Sequence, residues 1–360
     1  DARFFVRADM QKPLAEFRPL LARLTFHEQL GTMLDKADRI EQLAVQLGAA
    51  LGLSDADSAT ARRAAQLAKA DLATSMVVEM TSLQGVMGRE YALHSGESAD
   101  VAAAIEQHYW PVGAGGVLPE SPAATAVALA DRFDSLAGLF GAGLAPTGSA
   151  DPFGLRRAAL GIVQILIGNE IDFDVRAALQ AAAALQPIDI PAAVVADAGE
   201  FIIRRLRSVL QEAGFRHDVV EAVARAQGHN PHRAGQAAAQ LAEWVVRPDW
   251  DTTLDNYARC VRITRDLETR LPVTSDLFVE DAERSLRAAL ESAAEQTSPA
   301  SSVDEFLTAF GALVPSIMRF FDEVLVMADD EAVRNNRLGL LQSVAALADG
   351  IVDLSALEGF

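Results

Sequence analysis

A single cysteine, Cys260, stands in 360 residues, which rules out an internal disulfide or a cysteine zinc cluster and suits a reducing cytosol. Aromatics make up 6 % of the chain although half of it is hydrophobic. Ala and Leu dominate instead, which favours closely packed helices over β-sandwiches because Ala costs least in a helix. No run approaches the roughly 20 apolar residues that span a bilayer, so no membrane is expected among its partners. No basic segment leading into an apolar one marks a signal peptide. No stretch alternates convincingly as a half-buried strand would, and no fixed period marks a solenoid. Positive charge is also short. Against 50 Asp and Glu there are 31 Lys and Arg, for a formal net charge of −19. That argues against a nucleic-acid binder with a wholly basic surface, but salt screens exposed charges beyond about 8–10 Å. A local arginine face can therefore persist on an acidic body. The opening Asp-Ala-Arg in place of Met suggests a piece cut from a longer protein.

What remains reads as helix. At 360 residues two or three domains are expected. Ile40, Leu43, Ala44 and Leu47 form one buried stripe on a helix over 33–51. A second long helix is expected over 59–80, with Leu67, Leu72, Met76 and Val77 inside. Residues 81–96 read as a loop, because Gly85, Gly88 and Gly96 supply backbone freedom. Helices follow over 99–110, 123–140, 177–185 and 196–213. Asp151-Pro152 starts another, as Asp is a favoured N-cap and Pro fits the first turn. Soft boundaries near 150 and 233 divide the chain into residues 1–150, a connector over 151–233, and a bundle of long helices over 234–360.

Few side chains announce chemistry. His27, His94, His108, His217, His229 and His232 show no ligand spacing and read as solvated or loop-capping, with His94 the one to test. Arg156 and Arg157 follow a helix start, where guanidinium forks and backbone amides both suit phosphate. They lie about 100° apart around the axis, so one of them is expected to serve structure. Six arginines fall between 204 and 233. Arg204 and Arg207 lie one turn apart, and the plain alternative is a solvated helix balanced by Glu200, Glu212 and Glu221.

Two segments resemble the β subunit of the bacterial two-subunit glycyl-tRNA synthetase. They are QGVMGREYALHSGE (84–97) and DPFGLRRAALGIVQIL (151–166). The first domain is similar to the HD superfamily at Lys36-Ala37-Asp38-Arg39-Ile40, at Lys69-Ala70-Asp71 and at Ala130-Asp131-Arg132-Phe133-Asp134. In active members His, His-Asp and Asp ligate a metal that activates water. Here those positions fall on Lys36, Ala70-Asp71 and Asp131. Both imidazoles are gone, and Asp71 and Asp131 are expected to pair with Lys36, Arg39 or backbone amides. The last domain resembles the DALR anticodon-binding type at Val324 to Leu338 and around Tyr257 to Ile263.

The resemblance implies an all-α fold: an HD-like domain, a helical connector and an anticodon-binding bundle. It also implies ligation of glycine to tRNA(Gly) with ATP and Mg, through a glycyl-adenylate made by an α subunit or fused α region. No adenylation motif lies in these residues, so no catalysis and no bound cofactor or metal is expected of them alone. They would hold tRNA within a cytoplasmic hetero-oligomer. The RNA-contact candidates are Arg156, Arg157, Arg204, Arg207, Tyr257, Arg259, Arg262, Asn336 and Arg337. Arg337 could equally anchor the motif through Asp329 or Asp330. Two rival readings remain: an HD-type metal-dependent phosphohydrolase, and a helical scaffold for subunit assembly.

Overall fold

A computed structural model describes residues 2–148 and 150–360. Among them the only strand pairing in a sheet is a short hairpin, Thr25–His27 (β1) antiparallel to Gly31–Thr32 (β2); helices make the rest of the architecture, as expected. One compact unit extends to Leu206 and includes His229–His232. The other comprises Arg207–Gly228 and Arg233–Phe360.

The first unit contains α1 (Ala2–Asp9), α2 (Met33–Ala50), α3 (Asp55–Leu67), α4 (Ser75–Glu79), α5 (Val86–His94), α6 (Ala99–Gln107), α7 (Pro122–Gly141), α8 (Leu155–Gly168) and α9 (Val175–Ala184). The unit boundary falls within α10 (Ala192–Glu212). Helix α7 is apolar on nearly every side, and a helix of that kind belongs in the middle of a fold. It starts on Ser121, whose side chain accepts from the Ala124 amide, with Pro122 in the first turn. Helices α2, α3, α6, α8 and α9 all pack on it. The stripe Ile40, Leu43, Ala44 and Leu47 lies inside, and Thr32 with Asp35 caps α2 reciprocally.

Three expectations change. The helix expected over 59–80 stops at Leu67, because Lys69 turns left-handed at φ 69° before a 3-10 turn over Ala70–Ala73. The segment expected to be a loop over 81–96 contains α5. There Gly88 is a packing residue, since a Cβ would meet Ile105 Cγ2 at 2.8 Å. The boundary near 150 does not separate domains, because α8 and α9 lie against α7.

The second unit holds α11 (His217–Gln227), most of α12 (Pro231–Trp244), α13 (Trp250–Thr264), α14 (Asp281–Gln296), α15 (Val303–Glu323) and α16 (Glu331–Ala345). Ser302 with Glu305 and Glu280 with Glu283 form capping boxes on α15 and α14. Helix α14 lies along α15, and α13 packs on α16 and α15. Phe306, Phe310, Ile317 and Phe320 are fully buried, so the aromatics of α15 serve mainly as core.

Candidate nucleic-acid interface and a buried charged centre

The HD-like positions do converge, around a lysine pair. Lys36 Nζ lies 3.0 Å from Asp131 Oδ1 and 2.9 Å from Asp134 Oδ2, and donates to Ser135 Oγ at 2.8 Å. Lys69 Nζ takes the other Asp131 oxygen at 2.7 Å and sits 3.9 Å from the centre of the Tyr109 ring. The strained turn at Lys69 delivers that ammonium inward. Arg39 Nε reaches Asp134 Oδ1 at 2.6 Å, and Gln186 Nε2 donates to the same oxygen at 2.9 Å. Ala70 is buried and offers no lone pair. Asp71 Oδ2 accepts from the Gly85 amide at 2.6 Å.

Electrostatics follow from burial. Burial alone would raise Asp131, but the Lys69 and Lys36 ammoniums hold it well below the usual carboxylate range. For Lys36 burial acts against the charge, and Asp134 and Asp131 outweigh it to lift the ammonium above its ordinary value. Asp71 is raised by burial, which the Gly85 amide only partly offsets. Such a donor set does not fit a divalent metal: ammonium groups cover both oxygens of Asp131. Among the described residues no three His, Cys, Asp or Glu side chains are placed to share an ion.

Four important residues escaped the sequence reading. Asp134 is the hub for Lys36 and Arg39, and Lys69 supplies the second ammonium; both stood in the quoted motifs without a role. His108, expected to be solvated or capping a loop, is fully buried. Its ring bonds the Ile105 carbonyl at 2.6 Å, and burial with nearby Lys69 pushes it down to about 3. Arg132 gathers the carbonyls of Ala128 and of His108 to Pro111 instead of a carboxylate. His94 is exposed, with Nε2 3.1 Å from the Met10 carbonyl.

The nine RNA-contact candidates separate by environment. The helix starts at Leu155 with Gly154 as its N-cap, not on Asp151 with Pro152 in the first turn as expected; Asp151 instead reaches forward, its two carboxylate oxygens accepting the Leu155 and Arg156 amides at 2.8 and 2.9 Å. The Arg156 guanidinium closes the preceding loop by donating to the Gly148 carbonyl at 2.6 Å. Arg157 is exposed and meets no carboxylate among the described residues. Arg204 lies 5.5 Å from the Phe201 ring centre, and Arg207 pairs with Glu221 at 2.9 Å.

Within the second unit, Tyr257, Asn336 and Arg337 are corrected from surface contacts to core residues. Tyr257 sits edge-on to Phe310 and donates to the Ala345 carbonyl at 3.2 Å. Asn336 Oδ1 accepts from the Thr274 amide at 2.6 Å. Arg337 binds Glu283 at 2.8 Å and the Leu325 carbonyl at 2.8 Å, so its carboxylate is neither Asp329 nor Asp330. Arg259 and Arg262 behave differently. They lie one turn apart on α13, with guanidinium carbons 4.1 Å from the Phe321 ring centre and 5.5 Å from that of Phe360. Neither forms an ion pair among the described residues.

Residues 1–225 match the family model described as glycyl-tRNA synthetase beta subunit. The chain belongs to that family. Residues 253–357 match the DALR anticodon binding domain, the segment that carries Arg259 and Arg262. A glycine–tRNA ligase beta subunit from Moorella thermoacetica is 39 % identical over 99 % of the chain and 53 % of its own length. Its counterpart in Ralstonia nicotianae is 40 % identical over 99 % and 52 %. A chloroplastic/mitochondrial glycine–tRNA ligase of Arabidopsis thaliana is 37 % identical over the whole chain and 34 % of its own length. The chain thus spans about half the length of the beta subunits it matches. No described helix is long and apolar enough to cross a membrane.

Proposed function

We propose that this chain is the tRNA-binding part of a glycyl-tRNA synthetase. An α subunit or fused α region would activate glycine with ATP and Mg in a cytoplasmic hetero-oligomer. One observation carries the reading. In the DALR-type segment Arg259 and Arg262 present cationic planes backed by aromatic rings and unclaimed by carboxylates. Such planes grip phosphate and stack on unpaired bases. Arg157 offers a comparable unclaimed charge in the first unit. The chain's own contribution is orientation, which supplies proximity rather than bond making. The likeness to the HD superfamily belongs to the same proposal: a retired hydrolase scaffold in which lysines stand where metal ligands would be.

The test is binding of tRNA(Gly) and a non-cognate tRNA across salt concentrations. Phosphate contacts make log affinity fall linearly with log salt, with about 0.7–0.9 in the slope for each one. Arg259→Ala with Arg262→Ala should weaken binding and flatten that slope by about 1–2. Unchanged binding in the double variant would remove the interface, and absence of salt-dependent binding would favour the assembly scaffold. Stoichiometric Mn2+ that is lost in Asp131→Asn would favour the phosphohydrolase.

A further inference from the structure

Between α15 and α16 the chain runs as a short strap, Val324 to Asp330, outside any helix or strand. Its side chains alternate. Val324 and Val326 are each 6 % exposed, whereas Leu325 is 73 % exposed and Met327 58 %. Beneath it, the Arg337–Glu283 pair fastens the Leu325 carbonyl on one side and the Val279 amide on the other. Val279 adds a third outward apolar side chain, 59 % exposed. The amides of Leu325, Val326 and Met327 bond to no group among the described residues. The strap is therefore anchored at the Leu325 carbonyl, with three amides free of protein partners among the described residues.

The charge around it is mainly negative, although Arg334 donates to the Ala328 carbonyl at 3.0 Å and Arg284 to that of Val279 at 3.2 Å. Asp322, Glu323, Asp329, Asp330 and Glu331 are all exposed. Only Glu323 has an ion-pair partner among the described residues, Arg319 at 2.9 Å. We propose that the strap is a docking face for a partner polypeptide whose contacting side chains alternate between apolar and basic. Leu325, Met327 and Val279 would bury its apolar residues, the four unpaired carboxylates would meet its Lys or Arg, and the free amides would take its carbonyls. RNA is the poorer occupant, because phosphates would face those carboxylates at short range. The proposal does not depend on tRNA binding at Arg259 and Arg262, although Arg259 rests on Phe321 next to Asp322.

The experiment uses the full chain with a fluorescent peptide of alternating lysine and leucine, and oligouridine as the competing class. The peptide should bind with a steep salt dependence and slow hydrogen exchange at the amides of 325–327. Leu325→Ser with Met327→Ser should weaken binding at least about tenfold, since each buried apolar side chain is worth roughly that factor or more. Asp322→Asn with Asp329→Asn and Glu331→Gln should flatten the salt dependence. These positions are exposed, and Asp330, which caps α16, is left intact. Failure of the peptide to bind, equal binding to the variants, or protection of those amides by oligouridine instead would each overturn the proposal.

Discussion

Replacing Arg337 by Met tests whether the DALR-like motif is held by a buried ion pair. Glu283 is fully buried and Arg337 is 5 % exposed. Glu283 also accepts the Val279 and Glu280 amides at 2.8 and 2.6 Å. Deleting one partner of such a pair costs about 3–5 kcal/mol, because the remaining charge stays buried. The two amides that stay on Glu283 keep part of its stabilisation, which places Arg337→Met near ~3 kcal/mol, a large share of a typical ~5–15 kcal/mol stability. The pH dependence should also change sign. Burial pushes Glu283 up, yet Arg337 and the amides hold it below its ordinary value. In the native chain its contribution is therefore present above that ordinary value and lost as pH falls through the folded one. Without Arg337 burial dominates and the folded value rises. The variant's deficit then shrinks at acid pH and grows toward neutrality. Urea unfolding in a Trp110→Phe background isolates the signal, since Trp244 and Trp250 both lie in the second unit. Adding Glu283→Gln to Arg337→Met should recover most of the loss by removing the charge while keeping an acceptor for the amides. A cost under ~1 kcal/mol, or a deficit equal at pH 4.5 and 7.5, would refute the reasoning.

His108 should leave its own mark on acid stability. Its folded value of about 3 lies below the ordinary 6.5, so the unfolded chain takes up the proton first. Its contribution is complete above 6.5 and is lost as pH falls toward 3, at about 1.4 kcal/mol per pH unit. His108→Asn should flatten that slope between pH 4.5 and 6 in urea titrations, and an unchanged slope would rule it out. Gly88→Ala should cost about 1–3 kcal/mol by forcing a methyl against Ile105; a neutral result by thermal unfolding would show that α5 yields.

How much was legible depends on the kind of signal. Periodicity placed the buried stripe of α2 and the buried character of α7, because both follow from side-chain spacing alone. The break at Lys69 was not legible: Ala-Lys-Ala is sound helical sequence, and the left-handed turn goes with contacts to Asp131 and Tyr109, both distant in sequence. Over 81–96 one glycine misled: Gly85 and Gly96 do take positive φ, but Gly88 is required by close packing within a helix rather than by freedom in a loop. For site residues, sequence supplied the side chains without their exposure. Arg337 and Arg259 look alike in a string, yet one is spent on Glu283 and the other lies over a ring at the surface.

Asp131 carries counterions that are covalently part of the chain. Lys36 and Lys69 cannot be diluted away, chelated or exchanged for a competing ion, as a bound cation could. The charge balance at the middle of the first unit is thus fixed at translation, and its folding should be indifferent to EDTA and to the metal content of its surroundings.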